Sequence, residues 1–157
     1  MSKKVSLWMN EKLYSSYRQS FEVKRVLYEE KTTFQKITVF ESVTHGKVLM
    51  IDGVVQLTER DEHIYHEMLV HVPMLSHPKP KKVLIIGGRD GGALQRVLMH
   101  PVTNVTLVDI DKQIIATSKK YFPSVCKNSF TDPCVHVLHE DGAEYVKNCT
   151  EVFDVII

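Results

Sequence analysis

The chain has 157 residues, 43% of them hydrophobic and 25% charged, and 20 Lys and Arg against 19 Asp and Glu give a formal net charge of +1. These figures fit a globular protein and exclude disordered, collagen-like and low-complexity classes. There is no basic excess to support nucleic-acid binding, and no apolar run approaches the roughly 20 residues a membrane helix needs.

The opening stretch MSKKVSLWMNEKL has no continuous apolar segment and does not read as a secretory signal. Cys126, Cys134 and Cys149 form no C-x-x-C pair. Reduced thiols in a cytoplasmic protein are therefore the expectation, and the N-x-T triplets at Asn104 and Asn148 read as chance matches.

From Phe21 to about Thr58 the pattern is short and alternating, in runs over 21–28, 35–40 and 47–51 rich in β-branched and aromatic residues. His45-Gly46 and Asp52-Gly53 separate the later runs as tight turns. This predicts a small antiparallel sheet and an N-terminal β-domain over residues 1–58. Thr58 reads as a helix N-cap, with Asp61 as the acid of a capping box. Ile64, Met68 and Leu75 then recur at helical spacing. Pro73 either kinks this helix or ends it early, and His77-Pro78-Lys79-Pro80 makes a stiff linker.

From Lys81 onward apolar strands alternate with helices. Val83-Leu84-Ile85-Ile86 runs into Gly87-Gly88-Arg89-Asp90-Gly91-Gly92, followed by a helix through Leu94, Val97 and Leu98. A second strand, 105–108, ends in Asp109, with a helix from Asp111 toward Tyr121. A third, 135–138, ends in Glu140-Asp141-Gly142 and a short helix. A fourth begins at Phe153. The expectation is an α/β protein: the β-domain, then a Rossmann-like domain over 59–157 with a parallel sheet covered on both faces. The run Val155-Ile156-Ile157 carries no turn or cap, so this domain is expected to be incomplete after about four parallel strands.

Open parallel sheets bind ligands outside the carboxyl ends of their strands, near the point where strand order reverses. The residues placed there are Asp90, Asp109, Asp111, Glu140 and Asp141. The glycine loop allows a ligand close approach to the backbone, yet Arg89 stands where a dinucleotide fingerprint has its second glycine. Asp90 in the bend is a poor neighbour for a pyrophosphate and a good one for a cation. At about 4 Å and an effective dielectric near 20, the difference is roughly 4 kcal/mol per unit charge. The loop thus argues against NAD and for a cationic nucleoside ligand such as S-adenosylmethionine; the competing reading is a tight turn with a solvated aspartate. Asp109 follows Gly87 by 22 residues, close to the roughly 20 expected of an acid that bonds ribose hydroxyls. Asp111 reads as a helix N-cap. Asp141-Gly142 either borders an adenine ring or makes an ordinary strand-to-helix turn.

His66-Glu67 with His71 gives H-E-x-x-x-H rather than H-E-x-x-H. That spacing turns the second imidazole about 140° away, so the two do not share one zinc and no metal is expected. No Ser or Cys stands in a nucleophile motif.

Several blocks in order resemble the polyamine aminopropyltransferases, and most closely the spermidine synthases. They are Leu49-Met50-Ile51-Asp52-Gly53-Val54-Val55-Gln56, Thr58-Glu59-Arg60-Asp61-Glu62, Tyr65-His66-Glu67-Met68, the glycine loop with its strand, Val108-Asp109-Ile110-Asp111, and Phe153-Asp154-Val155-Ile156-Ile157. The resemblance implies transfer of an aminopropyl group from decarboxylated S-adenosylmethionine, a co-substrate rather than a resident cofactor, to putrescine. It implies contacts from Gln35, Asp90, Asp109, Asp141 and Gly142 to the nucleoside donor, and from Tyr65, His66 and Asp90 to the diamine. It also implies a homodimer or larger assembly through the N-terminal sheet. Both substrates are cations, which suits a rim of carboxylates. An amine of pKa about 10.4 costs roughly 4.6 kcal/mol to deprotonate at pH 7, so a general base is called for. The family's base is an Asp in a D-x-x-D-P loop after F-D-V-I-I; this chain ends before that loop, so no catalytic residue is assigned within it and these 157 residues alone are expected to be inactive. Arg89 replaces the loop's usual third glycine, and Asp109 the usual Glu. The glycine loop and Asp109 alone would equally serve an S-adenosylmethionine-dependent methyltransferase, which leaves Tyr65-His66-Glu67 and the N-terminal sheet unexplained.

Overall fold

The computed structural model describes residues 6–157 and divides after Asp61 into two compact units. The first unit is an antiparallel meander of five strands: β1 (Leu7–Asn10), β2 (Ser20–Lys31), β3 (Lys36–Ser42), β4 (Lys47–Ile51) and β5 (Val54–Thr58), hydrogen-bonded in chain order. Asp52 and Gly53 form the two-residue turn between β4 and β5, with Ile51 opposite Val54. Both have positive φ, 52° and 82°, the backbone that matches the twist of a tight hairpin. Phe21, Val23, Phe40, Val48 and Met50 form one buried cluster of this sheet.

Strand β1 lies upstream of the first strand expected from the sequence. It pairs with β2 at the sheet edge, and Leu7 and Trp8 are exposed. Only Met9 packs against the buried cluster of the sheet, so a four-residue strand with one inward side chain carries too little alternation to read.

The second unit opens with α1 (Glu62–Ser76) and continues as β6 (Lys82–Ile86), α2 (Gly92–Val97), β7 (Asn104–Val108), α3 (Lys112–Tyr121), α4 (Pro123–Cys126), a 3-10 turn (Ser129–Thr131), β8 (Val135–Leu138), α5 (Gly142–Asn148) and β9 (Val155–Ile156). Its strands are parallel and run β8-β7-β6-β9. The chain moves outward from β6 through β7 to β8 and then returns to the other side of β6, the order reversal of a doubly wound sheet. Val83, Leu84 and Ile85 of β6, and Val105, Leu107 and Val108 of β7, are buried. Cover is thinner at the edges: β8 is half-buried, Ile156 is exposed and α5 buries no residue.

Three local expectations are corrected. Thr58 is the last residue of β5 and not an N-cap; its Oγ1 donates to Asp61 Oδ1 at 2.6 Å across the turn that precedes α1. Pro73 lies inside α1, which continues to Ser76, so it does not end the helix. The stripe Ile64, Met68 and Leu75 is 61%, 64% and 76% exposed, whereas α1 buries His66, Val70 and Met74. Apolar residues occupy two faces of α1, and the face turned inward carries a histidine, which an apolar pattern does not count.

Candidate functional site

The carboxyl ends of β6, β7 and β8 carry Asp90, Asp109 and Asp141 respectively. These are the ends of three adjacent parallel strands, and each acid is fixed by a different local device.

After β6 the chain enters the glycine loop. Gly87, Gly88 and Gly91 take φ of 85°, 75° and 79°, a backbone that side chains with a Cβ strain to adopt. Arg89 and Asp90 are not among the positive-φ residues, so neither place calls for a glycine's backbone. Asp90 Oδ1 accepts from Gly92 N–H at 2.7 Å and lies 3.3 Å from His66 Nε2. The other ring nitrogen, Nδ1, is 2.6 Å from Glu62 Oε2 one helical turn back. Glu62 Oε1 in turn receives Arg96 at 3.2 Å, and Arg96 Nε reaches Glu67 at 3.9 Å.

His66 is therefore buried between two carboxylates. Burial pulls its pKa down, but Asp90 and Glu62 outweigh that and raise it above the usual histidine value. In the charged form both nitrogens donate, which satisfies both acids at once. A Cβ built on Gly92 would overlap the His66 ring, so glycine at the start of α2 is what lets the imidazole reach the loop. Tyr65 stands edge-on to this ring at 5.3 Å and is 62% exposed.

At the end of β7, Asp109 is only 4% exposed. Its Oδ1 accepts from Asp111 N–H at 3.0 Å, and its Oδ2 faces Arg89 Nε at 3.6 Å. Burial pushes its pKa above the ordinary carboxylate value, against the backbone amide of Asp111 and the Arg89 guanidinium. Asp111 caps α3 by accepting from Gln113 N–H at 3.0 Å. Asp141 caps α5 in the same way, its Oδ1 accepting from Ala143 and Glu144 N–H at 2.8 and 3.1 Å. Gly142, the first residue of α5, lies against Ile86.

Of the residues expected at the site, Tyr65, His66, Asp90, Asp109, Asp141 and Gly142 all belong to the second unit. The structure directly joins His66 to Asp90. Gln35 belongs to the first unit, in the β2–β3 turn, where its carbonyl accepts from Thr32 N–H at 2.8 Å. His66 and His71 have separate partners: His71 Nδ1 lies 2.8 Å from His100 Nε2. Glu62 was not singled out from the sequence, although its four-residue spacing from His66 on a helix is the signal that pairs them. No helix among the described residues is long and apolar enough to cross a membrane.

Comparison with known proteins adds the family. Residues 62–157 match the spermine/spermidine synthase domain, and residues 7–59 the spermidine synthase tetramerisation domain. The polyamine aminopropyltransferase of Pectobacterium atrosepticum is 48% identical over 158 residues, which cover 100% of this chain and 54% of that protein. Polyamine aminopropyltransferase 1 of Aquifex aeolicus is 48% identical over 145 residues, 92% of this chain and 51% of that protein. Crystal structures of spermidine synthase, one from Thermotoga maritima and one in complex with the transition-state analogue AdoDATO, superpose with a TM-score of 0.91 at 42% identity over 96% of this chain and 53% of theirs. The chain thus spans about half the length of the relatives it matches. On the match of both its units, it belongs to the spermine/spermidine synthase family.

Proposed function

We propose that this protein acts as a spermidine synthase, transferring the aminopropyl group of decarboxylated S-adenosylmethionine to putrescine. The observation that carries this reading is the set of three carboxylates at adjacent strand ends, facing the region where a doubly wound sheet receives its ligand. Asp109 is the acid for the ribose, Asp90 for the cationic end of the donor and the incoming amine, and Asp141-Gly142 for the edge of the adenine. The two contacts described for Asp90 both go to Oδ1, which leaves Oδ2 to receive a ligand cation. His66, which the resemblance puts at the diamine, is buried with both ring nitrogens on Glu62 and Asp90, so it serves the diamine through Asp90 as a positioning residue; Tyr65 contacts the diamine and Gln35 the donor.

In the reaction the amine nitrogen attacks the carbon beside the sulfonium. The C–N bond forms as the C–S bond breaks, the bonding pair goes to sulfur, and the products are spermidine and methylthioadenosine with one proton lost from nitrogen. The sulfonium is already a good leaving group, so the step needs no metal. Alignment of amine and carbon contributes several kcal/mol of the acceleration. These residues bind and orient; none of them is assigned as the base that takes the proton. The match of residues 7–59 to a tetramerisation domain supports a homo-oligomer built through the N-terminal sheet. Cys126, Cys134 and Cys149 are unpaired, as suits a cytoplasmic enzyme.

Isothermal calorimetry on the chain tests this. Decarboxylated S-adenosylmethionine and methylthioadenosine should both bind, and S-adenosylmethionine more weakly, because its carboxylate would meet Asp90. No heat with either of the first two would overturn the proposal. Tighter binding of the carboxylated form would move the reading to methyl transfer.

A further inference from the structure

The relation between Arg89 and Asp109 goes beyond that reading, though it rests on Asp109 being the ribose acid. Arg89 is the last side chain before Asp90 in the loop, and its position does not require a glycine's backbone. Its guanidinium does not run out into solvent. It turns to the end of the neighbouring strand and sets Nε 3.6 Å from Asp109 Oδ2. Asp109 Oδ1 is already taken by the amide of Asp111, so Oδ2 is the oxygen to receive a ribose hydroxyl. Arg89 stands on that oxygen.

We infer that Arg89 is an internal competitor for the nucleoside: its guanidinium occupies the ribose-binding carboxylate in the unliganded protein and must swing away before the diol can bind. The two occupants are chemically matched. Guanidinium N–H groups and ribose hydroxyls are both donors, and a buried carboxylate is costly to leave without one. At 3.6 Å the guanidinium holds Oδ2 as an ion pair and not as a hydrogen bond, so the carboxylate keeps a positive partner until the diol replaces it, and Arg89 sets how much of the nucleoside's affinity goes to the exchange. If the pair is formed in nine-tenths of the free molecules, apparent affinity falls about tenfold. The arginine side chain is 30% exposed against 3% for Asp109, so it is the partner able to leave.

The test uses methylthioadenosine, which is neutral, so that repulsion between Arg89 and a sulfonium plays no part. Calorimetry would compare the wild-type chain with Arg89→Ala and Arg89→Gln, each checked for folding by circular dichroism. The expected result is that both variants bind methylthioadenosine about tenfold more tightly, whereas free adenine, which has no ribose, gains nothing. Unchanged or weaker binding by both folded variants overturns the competitor and leaves the nucleoside reading standing; weaker binding would mean that Arg89 holds the acid ready instead of blocking it. An equal gain for adenine also overturns it, because the competition would not be for the diol. Absence of methylthioadenosine binding in all three proteins removes the nucleoside reading and the competitor with it. If one variant fails to fold, the other carries the comparison.

Discussion

His66 Nε2 lies 3.3 Å from Asp90 Oδ1, so a helix that begins the second unit holds an acid in the loop after its first strand. The same ring is anchored at Nδ1 by Glu62, which is itself held by Arg96 of α2. The acid proposed to face the substrates is therefore positioned by a chain of charges running Arg96, Glu62, His66, Asp90.

The pH dependence of this chain has a definite sign. His66 has a folded pKa above its unfolded value of about 6.5. Its contribution to stability is fully present below that value and is lost as pH rises through the folded pKa. Urea unfolding of wild type and His66→Gln should therefore differ most near pH 6, by roughly 3 kcal/mol for a broken buried charge pair, and less at pH 9. A difference that stays flat or widens with rising pH would show that the imidazole is not held charged between the two acids.

Gly92 and Gly87 separate two reasons for glycine in one loop. A Cβ at Gly92 would overlap the His66 ring, and Gly92 has no positive φ; a Cβ at Gly87 meets nothing within 4 Å, but the backbone there has φ of 85°. Gly92→Ala should cost roughly 1–3 kcal/mol by overpacking and shift the imidazole resonances of His66. Gly87→Ala should cost roughly 1–2 kcal/mol through backbone strain and leave those resonances in place. Thermal melts with proton NMR check both, and an unmoved His66 signal in Gly92→Ala would be the contrary result.

Much of this arrangement was legible in the sequence, and the exceptions have physical causes. The strand ends at Asp90, Asp109 and Asp141 follow from apolar runs bounded by glycine and acid, a pattern that the buried β6 and β7 and the half-buried β8 all keep. Asp111 reads correctly as a cap because a cap is a local device within two residues. Contacts between elements are different in kind. The inward face of α1 was obscured because its central buried residue is His66, and a pattern that counts apolar residues selects Ile64, Met68 and Leu75 instead. The Arg89–Asp109 pair was likewise hidden: sequence supplies a cation in a loop, and only the register of β6 beside β7 places it against that carboxylate.

His100, packed against His71, gives a second pH response of opposite sign. Their rings meet with Nδ1 and Nε2 2.8 Å apart. Burial first, and then the charge of His71, lowers the pKa of His100 below its ordinary value. A histidine with a lowered folded pKa contributes stability present above the unfolded value of about 6.5 and lost as pH falls. His100→Gln should make the melting temperature less sensitive to acid between pH 7 and pH 5, while the alkaline-side response assigned to His66 persists. An acid sensitivity as steep in the variant as in wild type would place its origin elsewhere.

Asp141 can be tested for two roles that its geometry lets coexist. Both of its described bonds go to Oδ1, which accepts from the amides of Ala143 and Glu144. Helix α5 buries no residue, so packing does little to hold its first turn and the cap matters more than usual. Asp141→Ala should lose about 1 kcal/mol and speed amide exchange at Ala143 and Glu144. Asp141→Asn keeps an oxygen for the cap, so exchange there should stay near wild type. If the carboxylate also receives the adenine's amino group, Asn at this place should weaken methylthioadenosine binding by about tenfold, the scale of one hydrogen bond to a charged group. Intact amide protection together with undiminished affinity in Asp141→Asn would reduce Asp141 to a helix cap and leave Gly142, packed on Ile86 at the end of β6, as the only adenine contact proposed at this strand end.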